Sequence, residues 1–165
     1  MTAPVTVWYL EMTAPAQHLP QSLANGMTID DARLPQYPLN RFLYQWIGEA
    51  WQWQDKQGWS SEQWQHYVER DCLRTWLAYV KGTPAGYFEL ERDANGGVEI
   101  CFFGLAQAFI GAGYGGGLLS AAILAAWGWN ATRVTVNTCS LDHPAALKNY
   151  QARGFRVSHT ETLGA

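Results

Sequence analysis

The chain has 165 residues, is 48% hydrophobic and carries a formal net charge of -3, which suits one domain over 1–165 with a normal core. Charged residues make up 15% of it, against roughly 25% in an average globular protein, and no lysine or arginine run could neutralise a series of phosphates, which argues against a nucleic-acid partner. Cys72, Cys101 and Cys139 are scattered and free of C-x-x-C or His/Cys clustering, so they read as reduced thiols in a cytoplasm, not as a disulfide framework or a zinc or other metal site.

Met1 to Glu11 has no basic residue ahead of its apolar stretch, unlike a secretory leader. The longest apolar stretch, Gly117 to Trp129, is too short to span a bilayer and has the size of a buried helix, so no membrane partner is expected. Val5 to Met12, VTVWYLEM, reads as an opening strand. Thr13 to Asn40 contains four prolines and reads as loop with flexible character. Phe42, Leu43, Trp46, Ile47, Ala50 and Trp51 recur at helical spacing, which predicts an amphipathic helix from Leu39 to about Trp53. Ser60 and Gln63 form a capping-box pair and Trp59 and Trp64 stand where a hydrophobic staple would, so Ser61 to about Asp71 is predicted helical. Three strands follow as an antiparallel meander: TWLAYVKG turning at Gly82 to Pro84, AGYFELER turning at Asp93 to Gly97, and VEICFFGLA. A helix from about Tyr114 to Trp129, a strand RVTVNTC, a helix from about Pro144 to Arg153 and a strand near Phe155 to Thr160 complete the order β-α-α-β-β-β-α-β-α-β, a mixed α/β (α+β) chain without repeats.

FIGAGYGGGLL, Phe109 to Leu119, joins the third meander strand to a helix whose apolar face is Leu118, Leu119, Ala122, Ile123, Ala126 and Trp127. Such a junction presents free backbone N–H groups where the helix dipole contributes about half a positive charge, and glycines let main chain approach phosphate oxygens. Gly111, Gly113 and Gly116 also satisfy G-x-G-x-x-G, the dinucleotide fingerprint. Against that reading, the glycines follow hairpin-linked strands instead of closing a parallel βαβ unit, no acid stands about 20 residues on, and only about 50 residues remain to build a second half. No Gly-Lys-Ser/Thr follows, which removes a P-loop.

At these residues the sequence resembles the GNAT superfamily of acyl-coenzyme A dependent N-acyltransferases, over about Trp76 to Phe155. The family loop, Arg/Gln-x-x-Gly-x-Gly/Ala, is matched at Ile110, Gly113 and Gly115, followed by Leu118 and Leu119. Ile110 lacks the side-chain donor of the usual first residue and Ala112 stands where a basic residue is frequent. HPAALKNYQARGF is similar to the signature Asn-x-x-Ala-x-x-x-Tyr-x-x-x-Gly-Phe, with His143 in the asparagine's place and Ala146, Tyr150, Gly154 and Phe155 in register. EICFFGL resembles the histone-acetyltransferase branch, in which a glutamate six residues before a cofactor-binding valine is the general base; Glu99 and Leu105 occupy those places. The resemblance implies a GNAT-like, mostly antiparallel twisted sheet flanked by helices, and acetyl-CoA (coenzyme A) as co-substrate without a metal. It also implies cofactor contacts at Phe103, Gly104, Leu105, Ile110, Gly111, Ala112, Gly113, Tyr114, Gly115, Gly116, His143 and Tyr150. A coenzyme-binding module without turnover and a dinucleotide-binding protein stand as alternatives.

Acyl transfer from a thioester requires a neutral amine, and holding one at pH 7 against a pKa near 10.4 costs on the order of 4 kcal/mol. Glu99 is the candidate base, acting directly or through water, and Tyr150, with a phenol pKa near 10, the candidate donor to the departing thiolate. A backbone N–H near the end of the Val98 to Leu105 strand suits the carbonyl oxygen. Trp46, Trp51, Trp53, Trp59 and Trp64 lie in the region that covers the acceptor in this family, where they would serve either a core or an aromatic pocket. Few positive charges favour a small neutral or cationic amine acceptor. The protein is expected as a monomer or homodimer.

Overall fold

The computed structural model describes residues 3–24 and 26–164. Met1, Thr2 and Ala165, at the ends of the expected 1–165 domain, and Asn25, in the expected loop, lie outside the described residues. In chain order the elements are β1 (Val5–Met12), β2 (Met27–Asp31), α1 (Tyr37–Gly48), α2 (Ser61–Val68), β3 (Leu73–Val80), β4 (Thr83–Arg92), β5 (Gly97–Leu105), α3 (Gly115–Gly128), β6 (Arg133–Cys139), α4 (Ala146–Ala152) and β7 (Arg156–Leu163). The strands form one seven-stranded sheet in the order β2-β3-β4-β5-β6-β1-β7. Every neighbouring pair is antiparallel except β5 and β6. This is the mixed, mostly antiparallel α/β architecture expected, with the first strand inserted between β6 and β7.

Helices cover both faces. Leu118, Leu119, Ala122, Ile123 and Ala126 of α3, with Tyr150 of α4, pack on Leu10, Phe88, Leu90, Val98, Val134 and Val136 of the sheet. Complete burial of side chains such as Leu118, Leu119 and Ile123 contributes about 2 kcal/mol each and seats the glycine-rich end of α3 against β5. On the other face Leu43 and Ile47 of α1 pack on Leu77 and Tyr87, and Tyr44, Trp64 and Val68 pack on Leu73.

The predicted capping box of α2 is present: Gln63 N–H donates to Ser60 Oγ at 3.2 Å, and Ser60 N–H donates to Gln63 Oε1 at 2.8 Å. The Trp59 and Trp64 rings meet edge-on at 5.3 Å, as a staple requires. Helix α1 stops at Gly48, short of the predicted Trp53. A Cβ on Gly48 would stand 2.6 Å from the Trp53 ring, and Gln52 takes a left-handed conformation at φ 57°, so the chain folds back and lays Trp53 over the helix end. The expected loop from Thr13 to Asn40 needs correction twice. Met27–Asp31 is an edge strand on β3, hidden from the sequence by its brevity and two acidic residues. The stretch before it is a packed strap: Gln21 N–H donates to Ser120 Oγ at 2.7 Å and Leu19 N–H to Arg153 O at 2.9 Å. A Cβ on Gly117 would stand 2.6 Å from Ser22 O, so this glycine admits the strap.

Candidate active site

β5 and β6 pair only at Gly97, Val98 and Glu99 against Arg133, Val134 and Thr135. Beyond these positions β6 stays with β1 and β5 stays with β4, so the two strands splay and leave facing edges unpaired. Hydrogen-bonding direction alternates along a strand. Ala106 N–H donates to Ala85 O at 2.8 Å; Gly104 therefore also faces β4, and the main-chain groups of Phe103 and Leu105 face the open edge. At Cys101 the register with β4 slips, since Glu89 opposes Phe102 while Leu90 opposes Ile100. This β-bulge re-aims the strand where it parts from β6.

A cavity of about 960 Å³ fills the cleft. Its wall contains Phe103, Gly104 and Leu105 from β5, then Ile110, Gly111, Gly113, Tyr114, Gly115 and Gly116 from the glycine segment, and His143 and Tyr150 from the region of α4. Ala112 and Glu99, named with them from the sequence, lie outside that wall. Residues 110–113 form a turn; among the described residues, the amides of Gly115 to Gly117 donate to no other protein group, and the first helical bond is Leu118 N–H to Tyr114 O at 3.1 Å. Gly111 and Gly113 turn the chain at φ 81° and 88°, with open space where a Cβ would stand. Unpaired amides, a helix N-terminus and open space together form a cradle for an anionic group with oxygen acceptors.

Tyr150 is held by edge-on contacts with Phe103 at 6.2 Å and Phe155 at 6.0 Å. Burial pushes its phenol above the usual range, so it stays protonated at neutral pH and can donate. His143 does two structural jobs: its Nδ1 accepts the Ala145 N–H at 2.9 Å, and its ring meets Trp51 edge-on at 5.1 Å. Desolvation, with Glu91 as a like-charged neighbour, raises the Glu99 carboxyl. That group nevertheless sits exposed on the strand, beside the cavity and not in its wall.

The tryptophans do not share one role, and Trp46 fits neither the core nor the pocket reading. Trp51 and Trp53 line the cavity, Trp64 is core at 2% exposure and Trp46 is a surface residue at 38%. Two positions escaped the sequence reading. Cys101 lines the cavity at the bulge, its thiol pushed up by burial and by nearby carboxylates. Glu89 is buried at 1% exposure, accepting from Asn40 Nδ2 at 2.7 Å and from the Tyr67 hydroxyl at 2.8 Å. Desolvation raises its pKa, opposed by those two bonds and by Lys56. The available signal was a lone acid inside the apolar run AGYFEL. Among the described residues no group of three or more His, Cys, Asp or Glu side chains is placed to hold a metal ion, and no helix is long and apolar enough to cross a membrane.

The fold has many solved likenesses. A GCN5-related N-acetyltransferase from Sphaerobacter thermophilus superposes with TM-score 0.74 at 16% identity, over 96% of this chain and 50% of that one. A GCN5-related N-acetyltransferase from Kribbella flavida gives TM-score 0.68 at 17% identity, over 94% and 55%. An IAA acetyltransferase from Bacillus cereus gives 0.58 at 23% identity, over 80% and 79%. This chain thus spans about half the length of the first two proteins. No curated protein sequence matches it. The family model for the acetyltransferase (GNAT) family matches residues 40–155, and with the splayed sheet and glycine cradle in place, the chain belongs to that family.

Proposed function

We propose that residues 1–165 form one acyltransferase domain that moves the acetyl group of acetyl-CoA to the amine of a small neutral or cationic acceptor. The observation that carries this reading is the continuity of the unpaired Gly115 and Gly116 amides with the unpaired edge of β5 in one cavity. The amides and the α3 dipole bind a pyrophosphate, and with Ile110 and Ala112 lacking side-chain donors they do so almost wholly through main chain. The Phe103 and Leu105 main-chain groups bond the extended amide-bearing arm of the co-substrate as an added strand would, and an N–H on this edge polarises the thioester carbonyl. Tyr150 donates its phenolic proton to the leaving thiolate. Glu99 receives the proton of the acceptor amine through intervening water, since its carboxyl stands outside the cavity wall. Trp51 and Trp53 flank the acceptor end.

Thermal denaturation with acetyl-CoA, NAD and ATP, followed by thiol release with a panel of amines, tests the reading. Protection by acetyl-CoA alone and amine-dependent thiol release are expected. Protection by NAD without coenzyme A would return the glycine segment to the dinucleotide reading. Protection without thiol release for any amine would leave a coenzyme-binding module.

A further inference from the structure

The ammonium of Lys56 lies 4.3 Å from the ring centre of Trp59, 4.3 Å from that of Tyr67 and 5.2 Å from that of Phe102. Three ring faces around one cation form a cage. The side chain is half-buried, and among the described residues no carboxylate lies within salt-bridge distance of it. The buried Glu89 accepts the Tyr67 hydroxyl, which enriches that ring; burial lowers the pKa of the Lys56 ammonium, opposed by the negative charges of Glu89 and Asp55. The cage adjoins the cavity directly: Phe102 is a wall of both, and Asp55, next to Lys56, also lines the cavity. The backbone of the cage loop is fastened independently of the lysine side chain. Lys56 N–H donates to the Tyr44 hydroxyl at 3.0 Å, and Trp59 N–H to Lys56 O at 3.1 Å. The flexible lysine stem is therefore free to swing out while the rings stay in place.

We propose that the Trp59, Tyr67 and Phe102 cage is a cation subsite of the acceptor pocket, filled by Lys56 until an alkylammonium or quaternary ammonium group of the acceptor displaces it. The caged nitrogen stays charged, so it is not the nitrogen that is acetylated; the acceptor carries this cation in addition to its reacting amine. The proposal rests on the acyltransferase reading for the word acceptor, but the cage itself is testable without acetyl-CoA.

The probe is tetramethylammonium, which cannot be acetylated, followed by the upfield shift of its methyl protons in NMR titrations of the intact chain. If Lys56 fills the cage at least nine-tenths of the time, Lys56→Met binds the probe about tenfold more tightly than wild type, because apparent affinity scales with the open fraction. Adding Phe102→Leu or Trp59→Leu to Lys56→Met abolishes that gain. Lys56→Gln carries the same expectation should the methionine variant fail to fold. Equal affinity in wild type and in the folded lysine variants, or a gain that survives loss of the rings, overturns the proposal. Failure of acetyl-CoA to protect wild type would sink the acyltransferase reading while leaving the probe titration to decide the cage.

Discussion

Replacing Gly115 by glutamate sets the stability of the fold and the binding of an anion in opposite directions. Gly115 opens α3 and lines the cavity; a Cβ there meets only Asn149 Nδ2 at 3.6 Å, an ordinary contact. Its φ is not in the left-handed range that Gly111 and Gly113 need, so the backbone accepts a side chain. Glutamate in a first turn gains about 0.3–1 kcal/mol from the helix dipole, and replacing glycine adds up to about 0.7 kcal/mol of helix propensity. The free variant is expected to melt at or above the wild-type temperature. Acetyl-CoA at one hundred times its Kd stabilises wild type by about 2.7 kcal/mol, a shift of roughly 5–10 °C for a chain of this size. A carboxylate about 5 Å from each of two phosphate charges opposes binding by about 1–3 kcal/mol per charge at effective dielectrics from 80 to 20. At least about 2 kcal/mol lost, roughly thirtyfold in Kd, leaves a shift under about 3 °C at the same ligand concentration. Differential scanning calorimetry with and without acetyl-CoA reads both quantities. A variant that melts like wild type and keeps the full shift would refute the cradle assignment, and a large fall in melting without ligand would refute the local geometry of α3.

Three further outcomes follow from named contacts. Tyr150→Phe preserves the ring contacts with Phe103 and Phe155, so acetyl-CoA protection is expected unchanged while thiol release slows about a hundredfold; unaltered turnover would remove the phenol from the chemistry. Burial raises the Glu89 carboxyl, so the folded chain keeps this proton at pH values where the unfolded chain, near pKa 4.3, has released it. The associated stability is complete below about pH 4 and is lost as pH rises through the folded value. In urea titrations Glu89→Gln should therefore gain on wild type as pH rises, and a pH-independent difference would contradict the burial. Gly117→Ala forces a methyl against Ser22 O and Leu23 Cα; a loss of about 1–3 kcal/mol is expected by urea denaturation, and a neutral result would mean that the strap over α3 is not packed as described.

Features decided by neighbours in the chain were legible from the sequence. The Ser60 and Gln63 box, the meander with its two turns, and the α3 stripe behind a glycine turn arise from contacts a few residues apart, and each stands within a residue or a few of its expected place. The candidate site was legible as far as it is built on those elements, which is why Phe103 to Leu105, most of the glycine segment and Tyr150 share one wall. Glu99 was read from the resemblance of EICFFGL and its place on the third meander strand, and neither says which face or edge of that strand the tertiary fold leaves open. Only the tertiary structure decided that β1 lies between β6 and β7, that β5 parts from β6 after Glu99, that Glu89 is enclosed by Asn40 and Tyr67, and that Lys56 enters a ring of aromatics. Strand pairing uses the same main-chain N–H and C=O groups at every residue, and burial depends on what arrives from distant sequence. The identity of a side chain therefore sets its own local preference, while its partner is chosen by the closure of the whole sheet.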